Sequence, residues 1–374
     1  MSDATDPRDA CDDRFPGRQI LRLIRRAIER HRLDLTGLRV LTEAGVGYRR
    51  VTPVIAALAG ADEVYAVGRD TVRAARKDAE RQTAHLAALA GVQDRVRLLP
   101  TRLQAPLVTV DVITDLPGLR PIDESIIRNV CETAAVTLMR GVAHWRAGDV
   151  DVATCRRLSI AVAGVDEDGV DAYRYLPMEA VWGLLQLGVE VVGATILVAG
   201  DGPACGKVTR GLAQAGARVL VAAPEGAGRI SLYGGEKAGD GLGDAAARGR
   251  LAEADGLVLC PAQPDRRTIG AGAWMDAAEL AATAPHLGVV SLAGEFDRHG
   301  LSGAGLRSWP GAEHPASGDL LPQPLIELHT AGLKVGEALT RARRRGSSPL
   351  AAEQLATAEA HAEQLPKDLG TPRR

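Results

Sequence analysis

The sequence is poor in aromatic residues and carries no strong excess of charge of either sign. Only 3% of its 374 residues are Phe, Trp or Tyr, and the formal net charge at pH 7 is −2. A nucleic-acid-binding surface needs a basic field, and single strands need aromatic platforms on which bases stack. We therefore expect no nucleic-acid partner.

Long apolar runs and closely spaced cysteines are also missing. There is no stretch of eighteen apolar residues, and residues 1–13 are polar and acidic rather than leader-like. A membrane-spanning helix needs roughly twenty apolar residues, and a signal peptide needs an apolar core. The five cysteines are scattered without a C-x-x-C spacing, which favours reduced thiols over disulfides or a zinc site. We expect a cytoplasmic protein without membrane contact and without a metal.

The remaining composition is that of a globular protein, with 46% hydrophobic and 25% charged residues. Short apolar runs alternate with helical patterns along the chain, which predicts parallel sheets covered by helices. We predict an α/β fold of two Rossmann-like, doubly wound parallel-sheet domains flanking a cleft. The predicted segments are a tail and helix at 1–34, a substrate-side domain at 35–180, a dinucleotide-binding domain at 181–325, a helix at 326–345 that returns across the cleft, and a polar tail at 346–374 that contains a solvent-exposed helix.

Residues 195–206 read as a buried strand, a glycine-rich turn and the start of a helix. Gly200 and Gly202 allow a tight turn, and a helix N-terminus can hold a phosphate. The usual fingerprint is G-x-G-x-x-G, but here Cys205 stands where the third glycine belongs and Gly206 follows it. This turn predicts a dinucleotide pocket. Its expected lining comprises Gly200, Gly202, Pro203, Ala204, Cys205, Gly206, Cys260 and Pro261.

Several stretches, in order along the chain, resemble the D-2-hydroxyacid dehydrogenases, the formate/glycerate dehydrogenase superfamily. Residues 149–164 are similar to the run that closes the first domain of that family, and 178–185 to the helix before its cofactor strand. Residues 254–261 resemble a later strand, and 326–332 resemble the family's T-P-H-I-A-G motif. The resemblance implies a two-domain dehydrogenase with a nicotinamide cofactor.

The same resemblance assigns catalytic residues. His329 matches the histidine that moves the hydroxyl proton during hydride transfer, and Glu313 lies about where its partner carboxylate would be. An imidazole suits that role because it titrates near neutral pH. The family also uses an arginine to hold the substrate carboxylate, but Ala293 stands at that position. The substrate therefore differs from a standard 2-hydroxyacid, or the chemistry has changed.

Cofactor choice rests on the residues after the second strand of the predicted dinucleotide domain. Ala223 occupies the position of the acid that usually bonds the ribose. Glu225 could take that role for NAD, whereas Arg229 could receive the 2′-phosphate of NADP. We expect NAD or NADP, with NAD preferred.

A second glycine loop, at residues 43–47, supports another interpretation. Together with 91–99 and 110–115, it resembles the class I methyltransferases, in which Asp70 would bind the ribose of S-adenosylmethionine. In the dehydrogenase interpretation this loop instead lines the substrate side of the cleft, and Arg49 or Arg50 replaces the lost carboxylate anchor. The expected substrate-side residues are Gly45, Gly47, Arg49, Arg50 and His144.

Three functions stay open at this point. The leading hypothesis is an NAD(P)-dependent oxidoreductase, a homodimer, that acts on a small polar metabolite. The alternatives are an S-adenosylmethionine-dependent methyltransferase and a non-catalytic dinucleotide-binding protein. A variant of the first keeps NAD bound as an oxidant that is regenerated in each turnover, as adenosylhomocysteine hydrolases do.

Overall fold

The computed structural model describes residues 16–71, 74–202, 204–224, 233–261, 266–311 and 321–366. These residues divide into two compact units. The first unit contains the described residues up to Ala172 and from Leu321 onward, and the second contains those that begin at Tyr173 and precede Leu321. No helix in the described ranges is long and apolar enough to span a membrane.

Helices and strands alternate through most of the chain. The helices are α1 (Gly17–His31), α2 (Val51–Leu58), α3 (Arg76–Ala90), α4 (Glu124–Ile127), α5 (Val152–Arg157), α6 (Leu176–Gln186), α7 (Ala204–Gln214), α8 (Leu242–Ala247), α9 (Ala277–Thr283), α10 (Arg298–Gly303), α11 (Pro322–Arg344) and α12 (Pro349–Ala360). The strands are β1 (Arg39–Glu43), β2 (Glu63–Val67), β3 (Val96–Leu99), β4 (Val112–Thr114), β5 (Ala135–Thr137), β6 (Ala161–Val165), β7 (Thr195–Ala199), β8 (Arg218–Ala222), β9 (Gly235–Gly239), β10 (Gly256–Leu259), β11 (Arg267–Ile269), β12 (Gly288–Ser291), β13 (Glu295–Phe296), β14 (Arg307–Trp309) and β15 (Ala362–Gln364).

The sheet of the first unit has the order β3-β2-β1-β4-β5-β6-β15. All neighbours pair in parallel except β15, which runs antiparallel to β6. The six parallel strands therefore follow the 3-2-1-4-5-6 order of the Rossmann fold, with the chain reversing direction across the sheet between β1 and β4. Ligands in such sheets bind at the carboxyl ends of the strands near that point.

Helix α11 packs closely on this sheet through two glycines. A Cβ on Gly336 would lie 2.4 Å from Val112 Cγ1, and one on Gly332 would lie 2.7 Å from Met139 Sδ. The Thr137 hydroxyl also donates to the Gly332 carbonyl at 2.8 Å. His329 lies one helical turn before Gly332 on the same face. The two small residues thus bring His329 to the carboxyl ends of the strands.

The prediction of a solvent-exposed helix near the C-terminus is wrong. One face of α12 is buried through Ala352, Ala356 and Ala360, and packs with α11. Residues 362–364 then join the sheet as β15. Small alanines at helical spacing give only a weak apolar pattern, which is why the buried face was missed.

The second unit repeats the same strand order. Its main sheet runs β9-β8-β7-β10-β12-β14, entirely parallel, with a small β11-β13 pair beside it. Numbered along this unit, that order is again 3-2-1-4-5-6, with the reversal between β7 and β10. Strand β9 lies in a glycine-rich stretch of low strand propensity, and pairing with β8 gives it its extended structure.

Candidate functional site

The turn after β7 in the second unit depends on Gly200. A Cβ at this position would lie 2.0 Å from the Cys260 carbonyl oxygen and 2.6 Å from Cys205 Sγ. Only glycine lets β7, β10 and the first turn of α7 approach this closely. Cys205, in the place of the third fingerprint glycine, uses its thiol to donate to the Cys260 carbonyl at 3.5 Å. A side-chain interaction with the Cys205 thiol, followed by burial, raises the pKa of the Cys260 thiol.

The other predicted pocket residues lie around this turn. Gly202 is buried, and Ala204 is the first residue of α7. Within the described residues, their N–H groups form no hydrogen bond with the protein, as expected of a helix start that can bind an anion. Gly206 packs against the Tyr233 ring. Pro261 packs against Gly294, where an added Cβ would lie 2.8 Å from Pro261 Cγ. Pro203, Glu225 and Arg229 lie outside the described residues.

A cavity of about 260 Å³ opens beside the turn. It is lined by Gly200, Asp201, Ala222, Pro224, Asp240, Gly241, Leu242, Gly243, Arg266 and Trp274. Most of these residues end or follow β7, β8 and β9, so the cavity lies at the carboxyl ends of these strands. Its position and lining suit the adenosine half of a dinucleotide.

In the first unit, neighbouring side chains fill the glycine turn at residues 43–47. Gly47 has a φ of +57° and donates its N–H to Gln82 Oε1 at 2.9 Å. Gly45 donates its N–H to the Thr83 hydroxyl at 3.2 Å, and a Cβ on Gly45 would lie 2.7 Å from the Arg49 backbone. Side chains of α3 therefore already occupy the N–H groups that a ligand would use.

His329 lies in the third turn of α11, because the helix begins four residues before the predicted start. The residue is buried, and its Nδ1 lies 2.6 Å from the Thr52 hydroxyl. Burial, followed by the charges of Arg49 and Arg140, lowers the pKa of His329 to about 3. The imidazole is therefore neutral at neutral pH. Glu313 lies outside the described residues, and the acid/base role of His329 stays a prediction.

The predicted substrate-side residues of the first unit do not form one cluster of contacts. Arg49 and Arg50 belong to a short 3₁₀ helix, where Arg49 lies near Glu43 and His329. Arg50 instead approaches Gln82 Oε1 at 3.5 Å. His144 Nε2 lies 3.5 Å from Glu167 Oε2.

Two buried carboxyls that sequence reasoning left unassigned occupy adjacent strand ends. Glu43 ends β1 and accepts the Gly118 N–H at 2.8 Å, while Asp115 follows β4 and accepts the Met139 N–H at 2.7 Å. Burial raises the pKa of both carboxyls. Arg120 binds Asp115 at 3.0 Å and Asp149 at 2.9 Å, so its guanidinium is fully committed to the protein. Each of the two acids stands at the end of a buried strand or directly after it, and this position in the sequence could have identified both as candidates.

Arg140 was also missed, although it follows β5 at the same edge of the sheet. Its side chain is half-buried and makes no hydrogen bond or ion pair within the described residues. Burial and the charge of Arg120 lower its pKa, while Asp115, Asp149 and Glu167 act in the opposite direction. This arginine is thus a partly desolvated cation whose donors are available to an anionic ligand.

Glu179 of α6, in the second unit, is a further buried acid. It is 2% exposed, and its carboxyl makes no hydrogen bond with another described residue. Burial alone raises the pKa of Glu179 to about 8. Its carboxyl is therefore mostly protonated at neutral pH.

Comparison with known proteins gives matches in structure only: no protein-family model and no curated protein sequence matches the chain. A dipicolinate synthase subunit from Bacillus halodurans matches with 18% identity and a TM-score of 0.51, over 79% of this chain and 96% of its own. The corresponding dipicolinate synthase polypeptide from Bacillus subtilis matches with 14% identity and a TM-score of 0.48, over 84% and 98%. An NAD-dependent formate dehydrogenase from Staphylococcus aureus, in complex with NAD, matches with 13% identity and a TM-score of 0.41, over 83% and 97%.

At 18% identity, the match to the Bacillus halodurans structure shows a shared fold. The structural argument rests on the first of the three, whose TM-score exceeds 0.5. The prediction of an α/β chain with two Rossmann-like, doubly wound parallel sheets is confirmed. The resemblance to D-2-hydroxyacid dehydrogenases holds at the level of this fold.

Proposed function

We propose that this chain is an NAD(P)-dependent oxidoreductase in which the second unit binds the dinucleotide and the first unit binds a small anionic metabolite. The observation that carries the proposal is the Gly200 turn, which joins β7 to α7 at the reversal point of a 3-2-1-4-5-6 sheet. A solved structure that shares the fold belongs to dipicolinate synthase, which supports an enzymatic role.

The second unit fits a dinucleotide in its described parts. Gly200 leaves no side chain where the backbone must approach a diphosphate, and the N–H groups of Gly202 and Ala204 suit its oxygens. The adjacent cavity of about 260 Å³ would receive the adenosine. When bound, the nicotinamide supplies a hydride donor or acceptor.

The first unit supplies the polar groups for a substrate. Arg140 would bind a carboxylate, taking over the role of the family arginine that Ala293 replaces. Its neighbour Arg120 cannot do so because Asp115 and Asp149 already neutralise it. Thr52 orients the His329 imidazole, which is neutral at neutral pH. His329 would therefore exchange a proton through Nε2 rather than carry a permanent positive charge.

A non-catalytic dinucleotide-binding protein is the second candidate. The observation that favours it is the buried His329, whose pKa of about 3 makes it a weak base. We do not extend the proposal to S-adenosylmethionine. The first glycine turn has its N–H groups occupied by Gln82 and Thr83, and Asp70 accepts the Arg76 N–H at 2.8 Å.

The proposal is tested by incubating the full chain with NADH or NADPH and a panel of small 2-oxo acids while following oxidation of the cofactor. We expect turnover of at least one acid, and a KM at least roughly tenfold higher in Arg140→Gln, as for loss of a charge-assisted pair, with an unchanged melting temperature. Cofactor binding without any turnover would favour the non-catalytic candidate. Binding of neither cofactor would contradict both.

A further inference from the structure

A second cavity, of about 230 Å³, lies in the first unit between the last turn of α1, the second half of α11 and the end of α12. All of its lining residues belong to the continuously described ranges 16–71 and 321–366. Neither the dehydrogenase resemblance nor the proposed dinucleotide pocket uses any of them. The charged residues that line it are Arg32, Lys334, Glu337, Arg341, Arg345 and Glu359.

Positive charge exceeds negative charge in this cavity, because four permanent cations face two carboxylates. The buried carboxylate of Glu337 is shared by two of the cations, Lys334 Nζ at 2.9 Å and Arg341 Nε at 3.3 Å. It also accepts the Asp34 N–H at 3.0 Å. One carboxylate that serves two cations leaves a net positive charge at the centre of the cavity wall.

The same two cations are held in place by the backbone between α1 and β1. Lys334 Nζ donates to the Arg32 carbonyl at 2.8 Å, and Arg341 donates to the Asp34 carbonyl at 2.8 Å. Side chains that are already ordered lose little further freedom when a ligand binds. Lys334 and Arg341 therefore form a preorganised part of the wall.

The other two cations have donors to offer. The side chains of Arg32 and Arg345 are exposed and form no hydrogen bond or ion pair with any described residue. A guanidinium presents paired N–H groups that match the oxygens of a phosphate or a carboxylate. His31 also lines the cavity, but its Nε2 lies 3.0 Å from Glu327 Oε2. The donors that remain for a ligand are thus those of the two arginines.

From this arrangement we propose that the cavity binds a small organic anion with at least two negative charges, a phosphate ester or a polycarboxylate. Arg32 and Arg345 donate to its oxygens, and Lys334 and Arg341 supply fixed positive charge. The inference goes beyond the proposed function and does not depend on it. His329 lies on the face of α11 that packs on the sheet, whereas the cavity borders another face of that helix, so the two sites are separate.

Calorimetric titration of the full chain with citrate and with inorganic phosphate tests the inference, and the two probes distinguish a polycarboxylate from a phosphate. Both titrations use the same low ionic strength, because salt screens exposed charges. We expect saturable binding of at least one anion. Arg32→Gln and Arg345→Gln should each weaken it about three- to tenfold, as for a partly exposed charge-assisted pair.

Glu359→Gln should have the opposite effect and tighten binding by about two- to threefold, because it removes an exposed carboxylate that repels the anion. This gain separates a ligand site from a set of charges that only stabilises the helices. Unchanged or weaker binding in Glu359→Gln would contradict the inference.

Arg22→Gln is the matched control. Arg22 is an exposed arginine of α1 that does not line the cavity, so its loss lowers the net charge equally but should leave the affinity unchanged. Equal melting temperatures of the variants would show that the fold is intact. Absence of saturable binding, or a loss in Arg22→Gln as large as in Arg345→Gln, would overturn the inference.

Arg140→Gln tests whether the anion instead occupies the candidate substrate site. A loss in this variant as large as in Arg345→Gln would place the anion beside Arg140 and would also overturn the inference. Binding of the anion by a chain that binds neither NADH nor NADPH would contradict the proposed function alone.

Discussion

The hydroxyl of Thr52 and Nδ1 of His329 lie 2.6 Å apart in the interior of the first unit. Thr52 is in the first turn of α2, and His329 is in α11, so the bond joins two helices that are far apart in the chain. The dehydrogenase resemblance implies a carboxylate partner for this histidine, and among the described residues the partner of Nδ1 is a hydroxyl. A hydroxyl orients the ring without stabilising an imidazolium.

His329 should remain neutral well below the usual range of histidine. Its pKa is about 3 in the folded chain, against about 6.5 when unfolded. The free energy of unfolding therefore has its full value above about pH 6.5. It falls as the pH drops toward 3, by about 1.4 kcal/mol per pH unit for one proton. Histidine NMR titration should show no protonation of His329 down to about pH 4. A midpoint near the unfolded value would contradict the burial of this ring.

Glu179 should have the opposite effect on stability. Its pKa is about 8 in the folded chain, so the folded state keeps a proton that the unfolded state loses near about pH 4.3. Stability should fall by about 1.4 kcal/mol per pH unit over that interval. In Glu179→Gln, denaturant unfolding should show this slope removed and a higher stability at about pH 8 than in the parent chain. An unchanged pH profile would mean that the carboxyl is solvated.

Arg120 and Arg140 should respond very differently to loss of charge. Arg120→Gln leaves Asp115 and Asp149 without their cation, and we expect a loss of about 3 kcal/mol. Arg140→Gln removes a guanidinium that no described carboxylate holds, and stability should stay within about 0.5 kcal/mol. Urea unfolding of both variants measures the difference. Similar losses in the two would assign Arg140 a structural role.

Gly200→Ala should be strongly destabilising. The added methyl group would meet the Cys260 carbonyl at 2.0 Å, which cannot be relieved by a side-chain rotation, and we expect a loss of at least about 2 kcal/mol. Gly303→Ala is the control, because a Cβ there has no neighbour within 4 Å and the residue ends a helix. A thermal melt of each variant suffices. Equal melting temperatures would show that the Gly200 turn can open to admit a methyl group.

The main architecture could be predicted from the sequence, because strong local patterns specify it. Buried strands such as β7 are continuous apolar runs, and Gly200 marks the turn that follows. Strand β9 and the buried face of α12 could not be predicted in this way. Their residues are small or polar, and only pairing with β8 or packing on α11 gives them their structure.

The candidate site was harder to predict than the fold. Glycine turns and His329 are visible as motifs, but Arg140 is a single arginine in an arginine-rich sequence. What distinguishes Arg140 is the absence of a hydrogen-bonded carboxylate partner among the described residues, which is a property of three-dimensional packing. The pKa of His329 likewise depends on burial by α2 and the charges of two arginines, and no local pattern shows either.

Titration calorimetry of the full chain with NADPH and with NADH tests the central claim, that the Gly200 turn and its cavity bind a nicotinamide dinucleotide. We expect saturable binding of at least one of the two cofactors, at one site per chain. A hundredfold excess of the ligand over its Kd should also raise the free energy of unfolding by about 2.7 kcal/mol. No heat of binding and no thermal stabilisation with either cofactor would contradict the account.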